Sequence, residues 1–320
     1  MFKRKNRVRG LLRFTLLGLF IGGFTGVSLV SELVVATNPP VKVPLGLSFV
    51  STNGLQTRFQ QWGAPTAHSL VLVHGAFESS DTWGPVAKLL AASVHVEAYD
   101  LKGYGYTSHV GRYTTEALAQ QLYAYLSARK LSHPILVGHS LGAGVIARFV
   151  LDHPHVAAGI VFLDGDGLQL TYPGKFVMDL IPSLYLSALY QTGIHSGFLL
   201  RTIFGAACGP HCRPLSNQSL VVIQRPLEVA GAEDALLAYA QHPIVGVTLP
   251  QLKKLRSIRI PSEVIFGSND SAFSARAADQ TAARIGAPSP IIIRGAGHLS
   301  MWSNPVQVAN AIERFITGLD

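Results

Sequence analysis

Short apolar runs alternate with amphipathic stretches along this chain. Leu70–Val73, Val94–Tyr99, Pro134–Val137, Gly159–Leu163, Glu263–Phe266 and Pro290–Ile293 are too short for helices, and Gly, Asp or His follows each directly or one residue later. They read as buried strands. Between them, Trp83–Ala92, Thr114–Ala128, Ala143–Asp152, Ala272–Ile285 and Pro305–Ile316 carry helical patterns. Strand–helix alternation of this kind implies a parallel sheet with helices on both faces. Leu47–Ser51 and Thr57–Gln61, with Asn53-Gly54 as the turn signal, read as an antiparallel hairpin leading into it.

One interval breaks the rhythm. About a hundred residues separate Leu163 from Glu263, with apolar helical stretches at Phe176–Ile181, Leu184–Tyr190, Phe198–Ile203, Leu220–Ile223 and Ala235–Ala240. This is too long for a crossover and reads as an inserted cap over the carboxyl ends of the strands, where open α/β sheets bind ligands. A cap of that composition would line the pocket with hydrocarbon.

Composition narrows the class. The chain is 48% hydrophobic and 14% charged, which excludes disorder, and two cysteines in 320 residues exclude a disulfide-rich mini-fold. The net charge of +8 does not describe a nucleic-acid surface. Lys3, Arg4, Lys5, Arg7, Arg9 and Arg13 supply six of the eight, leaving a nearly neutral remainder. An uncharged stretch, Phe14–Ser31, follows them. Cations ahead of an apolar run describe a membrane anchor or a secretory signal. Its length is at the short end of what spans a bilayer, and Val34-Val35-Ala36 is an acceptable cleavage site. Residues 1–36 are therefore read as a signal anchor or signal peptide, with membrane contact through residues 14–35. In either case the basic end stays cytoplasmic and the rest lies across the membrane. Gly18, Gly22 and Gly26 form a small-residue face on which two such helices could associate. Residues 37–44, rich in proline, read as a stiff linker.

Gly138-His139-Ser140-Leu141-Gly142 follows a strand and precedes a helix, the setting that a G-x-S-x-G elbow requires. A serine forced into that turn presents its hydroxyl above the sheet, and the helix behind it aims amides at developing negative charge. With this block stand Leu72-Val73-His74-Gly75-Ala76-Phe77, Asp100 to Ser108 (DLKGYGYTS) and Gly295-Ala296-Gly297-His298. Together the four blocks resemble the α/β-hydrolase superfamily, in its esterase, haloperoxidase and epoxide-hydrolase-like branch, from about residue 45 onward. The resemblance implies a mostly parallel eight-stranded sheet with helices on both faces. It divides the chain into a core at 45–166 and 251–320 and a helical cap at 167–250.

The same resemblance implies a catalytic triad: Ser140 as nucleophile, His298 as base and Asp270 as the acid that orients it, in the order usual for this fold. Asp164 and Asp166 are the alternative acids, since some branches supply the acid after the preceding strand. The oxyanion hole is expected from the backbone amides of Leu141 and Ala76. His74 is read as structural, His139 as pointing away from Ser140, and His195 and His211 as satisfied or solvent-exposed residues of the cap. No metal or organic cofactor is required. Gly103-x-Gly105 lacks the third glycine of a dinucleotide fingerprint, since Ser108 stands there. Cys208 and Cys212 read as a disulfide pinning a cap loop. With His211 they would lack a fourth metal ligand.

The function expected is cleavage of a small-to-medium apolar ester through an acyl-enzyme. Epoxide opening and dehalogenation are disfavoured, because those branches carry aspartate where Ser140 stands. Amide, lactone, carbon–carbon bond and perhydrolase chemistries remain open, as do a non-catalytic ligand-binding protein and a membrane adaptor on the same fold.

Overall fold

Alternation along the strands sorts the core onto two faces of one sheet. In β3 (Ser69–Val73), Val71 and Val73 point to one face and Leu70 and Leu72 to the other. β5 (Ile135–His139) and β6 (Gly159–Leu163) divide in the same way: Leu136, Ile160 and Phe162 lie on the first face, and Ile135, Val137, Val161 and Leu163 on the second. Strands buried on both faces are what a parallel sheet covered by helices needs.

The protein is described here from a computed structural model. It covers residues 39–64, 69–169, 183–241 and 245–319, with Gly18, Gly22, Gly23, Thr25, Gly26, Leu29, Leu33 and Thr37 of the N-terminal stretch. The remaining strands are β1 (Ser48–Thr52), β2 (Leu55–Trp62), β4 (His95–Tyr99), β7 (Ser262–Gly267) and β8 (Ile291–Ile293). Their order is β1-β2-β4-β3-β5-β6-β7-β8. β2 pairs antiparallel with both neighbours, and every other pairing is parallel. This is the α/β-hydrolase fold that the motifs implied.

The helices are α1 (Gly84–Leu90), α2 (Thr115–Arg129), α3 (Leu141–Asp152), α4 (Ser183–His195), α5 (Gly197–Cys208), α6 (Asn217–Gln224), α7 (Ala232–Gln241), α8 (Leu249–Ile258), α9 (Ala275–Ile285), α10 (Ser300–Ser303) and α11 (Pro305–Thr317). Leu118 and Leu122 of α2, Ile146 and Phe149 of α3, Leu252 of α8 and Ala278 of α9 pack on the first face. Val86 and Leu90 of α1 and Val308 and Ile312 of α11 pack on the second. Each such fully buried Leu, Ile, Val or Phe contributes about 1.5–3 kcal/mol. Periodicity does not announce α8, because its exposed face (Lys253, Lys254, Arg256, Ser257) makes Leu249–Ile258 read as polar. α9 starts at Ala275 rather than Ala272 because the amides of Ala272 and Phe273 turn back to the Asp270 side chain.

The helices between β6 and β7 form the insertion. At its base the chain pairs with itself: Gln169 N–H donates to Val247 O at 2.9 Å, and Val247 N–H to Gly167 O at 2.9 Å. Tyr239 of α7 holds it to the core, donating to Lys102 O at 2.8 Å and stacking on Tyr104 and Tyr113. Gly103 and Gly105, the discounted dinucleotide glycines, belong to the turn after β4. A Cβ on Gly105 would sit 2.1 Å from Asp100 Oδ2. Asp100 in turn accepts from Ser80 N, Ser80 Oγ, Arg58 and Tyr106 N.

The apolar stretch Phe176–Ile181 and most of the expected anchor lie outside the described residues. Among the described residues, no helix is long and apolar enough to cross a membrane. Gly18, Gly22 and Gly26 are helical and exposed, with nothing within 4 Å of where a Cβ would stand.

Candidate active site

β5 ends at the elbow. Ser140 has φ +49° and ψ −114°, a conformation that side chains other than glycine rarely adopt. The flanking glycines allow the turn. A Cβ on Gly138 would meet the Gly142 carbonyl group at 2.5 Å, and one on Gly142 would meet Val73 O at 2.3 Å. Ser140 N–H is held by Leu163 O at 3.0 Å, so the neighbouring strand fixes the strained residue.

Three loops converge on Ser140. The loop after β8 brings His298, whose Nε2 lies 3.0 Å from Ser140 Oγ. The loop after β7 brings Asp270, whose Oδ2 lies 3.0 Å from His298 Nδ1. Asp270 Oδ1 accepts from the amides of Ala272 (2.6 Å) and Phe273 (2.9 Å), which leaves Oδ2 alone to face the imidazole. The Asp270 side chain is fully enclosed, whereas that of His298 is 15% exposed. An orienting acid that water does not reach, next to a base that a substrate can, is the arrangement general-base catalysis requires.

The loop after β3 forms the third wall. A Cβ on Gly75 would stand 3.1 Å from Ser140 Cβ, so this loop lies directly against Ser140. Leu141 opens α3, and its amide therefore has no acceptor within the helix. Among the described residues, neither Leu141 N–H nor Ala76 N–H has a protein acceptor. Phe77 beside Ala76 sits at φ +61° and is 59% exposed.

The alternative acids are elsewhere. Asp164 is fully buried and accepts from Gly267 N–H at 2.7 Å, from Ser300 N–H and from the Ser300 hydroxyl. It braces the ends of β7 and α10. Burial, with Asp270 adding repulsion, pushes its carboxyl up to about 6. Asp166 accepts from Leu168 N–H. Neither is bonded to the His298 ring, because the loop after β7 places Asp270 there instead.

His74, His139 and His195 have structural partners. His74 Nε2 accepts from Leu101 N–H at 2.9 Å, and its Nδ1 lies 2.7 Å from Gly75 O. Those two bonds define a neutral tautomer, and burial holds its pKa below the ordinary value. His139 points away from Ser140, towards Glu78 and the backbone of His298. His195 faces Glu228 at 3.4 Å. His211, expected to be a satisfied or solvent-exposed residue of the cap, is exposed, with its ring against Gly295 of the histidine loop.

Cys208 and Cys212 are joined in a disulfide. The loop they close lies on the histidine loop: Gly297 N–H donates to Cys208 O at 3.1 Å and Leu299 N–H to Ala207 O at 3.3 Å. Sequence reasoning did not find this contact, nor Glu78, nor Phe273, whose ring centroid is 5.8 Å from that of His298. For Glu78 a signal existed, as an acid two residues past Ala76 in a loop adjoining the elbow. The positions of Phe273 and the disulfide loop depend on tertiary approach alone.

Comparison with known proteins identifies the family. The profile of the Alpha/beta hydrolase family matches residues 70–311. The chain belongs to that family. It is 26% identical to epoxide hydrolase A of Mycobacterium tuberculosis over 320 aligned residues, covering 85% of this chain and 97% of that protein. It is 25% identical over 281 residues to an uncharacterised protein of the same organism, covering 85% and 82%. A crystal structure of a membrane phospholipase A aligns with a TM-score of 0.68 at 20% identity, over 97% of this chain and 98% of that one. A thermophilic esterase from Thermogutta terrifontis aligns at 0.67 and 19%, over 85% and 97%. The structural likenesses show the fold.

Proposed function

We propose that the protein is a serine hydrolase that cleaves small-to-medium apolar esters through an acyl-enzyme. The observation that carries this reading is the unbroken line from Ser140 Oγ through His298 to Asp270, each step 3.0 Å. Ser140 attacks the carbonyl carbon while His298 Nε2 takes its proton. Asp270 keeps the other imidazole proton on Nδ1 and stabilises the imidazolium. The Leu141 and Ala76 amides receive the oxyanion, an arrangement in which one lost donor costs about 10²–10³ in rate. His298 then protonates the leaving alcohol, and water releases the acyl group by the same steps in reverse.

The apolar insertion supports a hydrocarbon acyl or alcohol group. An extracytoplasmic location, tethered or exported through residues 14–35, is supported by the six N-terminal cations and by the Cys208–Cys212 disulfide, a bond that persists in oxidising compartments. The N-terminal sequence of the mature protein distinguishes the two forms, a start at Thr37 meaning cleavage and release. A fluorophosphonate probe tests the chemistry: labelling of the folded protein is expected and should vanish in Ser140→Ala. Equal labelling of that variant would overturn the assignment. A panel of esters of increasing acyl length then defines the substrate.

A further inference from the structure

Beneath the candidate triad lies a buried ion pair that the mechanism above does not use. His139 and Glu78 meet at 2.8 Å, Nδ1 to Oε1, with the imidazole fully enclosed and the carboxylate side chain 10% exposed. The other ring nitrogen of His139, Nε2, lies 2.8 Å from the main-chain carbonyl oxygen of His298. A carbonyl oxygen only accepts, so Nε2 must carry a proton. The 2.8 Å contact to Glu78 is an ion pair outside hydrogen-bond alignment, and it is satisfied when the ring carries its second proton on Nδ1 opposite an ionised Glu78.

We propose that His139 is a positioning residue: as an imidazolium it pairs with Glu78 and donates to the His298 carbonyl, locking three catalytic loops into one frame. Glu78 belongs to the loop after β3 that carries Ala76. His139 is the residue before the nucleophile. The His298 carbonyl is the main chain of the base itself. One side chain therefore fixes the relative position of oxyanion donor, nucleophile and base, and does so without touching substrate. The proposal deepens the serine-hydrolase reading and rests on it.

The surroundings supply the charge balance. The groups facing His139 are Glu78 and His74 from the loop after β3, Asp164 from the end of β6 and His298 from the loop after β8. The Trp83 indole packs edge-on against the ring. His74 is held neutral by its two hydrogen bonds, so it adds no competing cation. Burial alone would strip the proton from His139, but Glu78, and more weakly Asp164, outweigh it and carry the imidazole up to about 9. Glu78 is reciprocally held below the usual carboxyl range, despite its burial, by the His139 charge.

The proton placement can be read without turnover. In the full-length protein labelled with ¹⁵N-histidine, both ring nitrogens of His139 should be proton-bearing at neutral pH and remain so until about pH 9. A pyridine-type Nδ1 would mean a neutral imidazole beside a protonated Glu78, and would overturn the proposal. Function is read in Glu78→Gln. Its kcat should fall by about 10²-fold, the scale of a misplaced catalytic group. KM should stay within about twofold, and the alkaline limb of the kcat profile should move to lower pH. A variant that melts earlier but keeps wild-type kcat and the same alkaline limb would reduce the pair to a structural role and refute positioning. If Glu78→Gln does not fold, the wild-type ring signals still decide. Failure of the triad is distinguishable, since a Ser140→Ala variant that kept full turnover would leave the His139 spectrum unaffected.

Discussion

Replacing Asp270 by asparagine tests the site at the level of a single proton. The structure dictates how an amide would sit there. The Ala272 and Phe273 amides both donate to Oδ1, so the carbonyl oxygen of the introduced side chain must take that place. Its NH₂ group then replaces Oδ2, 3.0 Å from His298 Nδ1. An NH₂ donates, so Nδ1 becomes an acceptor and the imidazole proton moves to Nε2. That nitrogen faces Ser140 Oγ at 3.0 Å and can no longer take its proton. A wrong tautomer of this kind costs about 10⁴ in kcat in serine proteases, or about 5.5 kcal/mol of barrier. Asp270→Asn should therefore lose kcat on that scale with KM little changed and an unaltered melting temperature. The assay is steady-state hydrolysis of a p-nitrophenyl ester, with fluorophosphonate labelling in parallel. Asp164→Asn serves as the contrast: it should lower stability through its bonds to Gly267 and Ser300 while keeping kcat within about tenfold. Asp270→Asn retaining more than about a tenth of wild-type kcat would refute the tautomer reasoning.

Three further outcomes follow from the packing and the charges. Gly142→Ala drives a Cβ to 2.3 Å from Val73 O, whereas Gly193→Ala in α4 meets nothing within 4 Å; urea unfolding should show the first losing at least about 3 kcal/mol and the second gaining up to about 1 kcal/mol. Because His139 in the folded protein titrates above its ordinary value of 6.5, near 9, its stabilisation is complete below pH 6.5 and fades as pH rises through 9. The urea midpoint should fall between pH 7 and 10 by the equivalent of about 3 kcal/mol, and a midpoint constant across that range would contradict the charged pair. Reduction of Cys208–Cys212, which closes a loop of sequence separation 4, should cost about 2 kcal/mol by loop entropy and slow turnover through the bonded Gly297. Thermal melts and kcat measured with and without dithiothreitol check both.

The sequence made legible whatever rests on local pattern. The strands showed themselves because burial on both faces leaves uninterrupted apolar runs, and the elbow because only glycine tolerates the approach of Val73 O and the Gly142 backbone. Asp270 was expected as the acid from its place after a strand and the resemblance, with Asp164 and Asp166 as alternatives. Asp270 and Asp164 both follow strands, and it is tertiary placement that sets Asp270 against the His298 ring and Asp164 against Gly267 and Ser300. The partnership of Glu78 with His139, the disulfide loop lying on Gly297 and the aromatic stack under Tyr239 join residues distant in sequence, so no periodicity announces them. α8 escaped for a different reason, since it buries little beyond Leu252 and Leu255.

The paired base of the insertion has an evolutionary consequence. Gly167–Gln169 and Val247 are bonded to each other, so the chain leaves and re-enters the core at nearly one point. A module entered and left through one door can be exchanged for another of different length or lining while the sheet keeps its register. Substrate preference is then free to drift independently of the chemistry, with one exception. The main chain around Cys208 supports the loop of His298, so any replacement must bring its own support for that histidine.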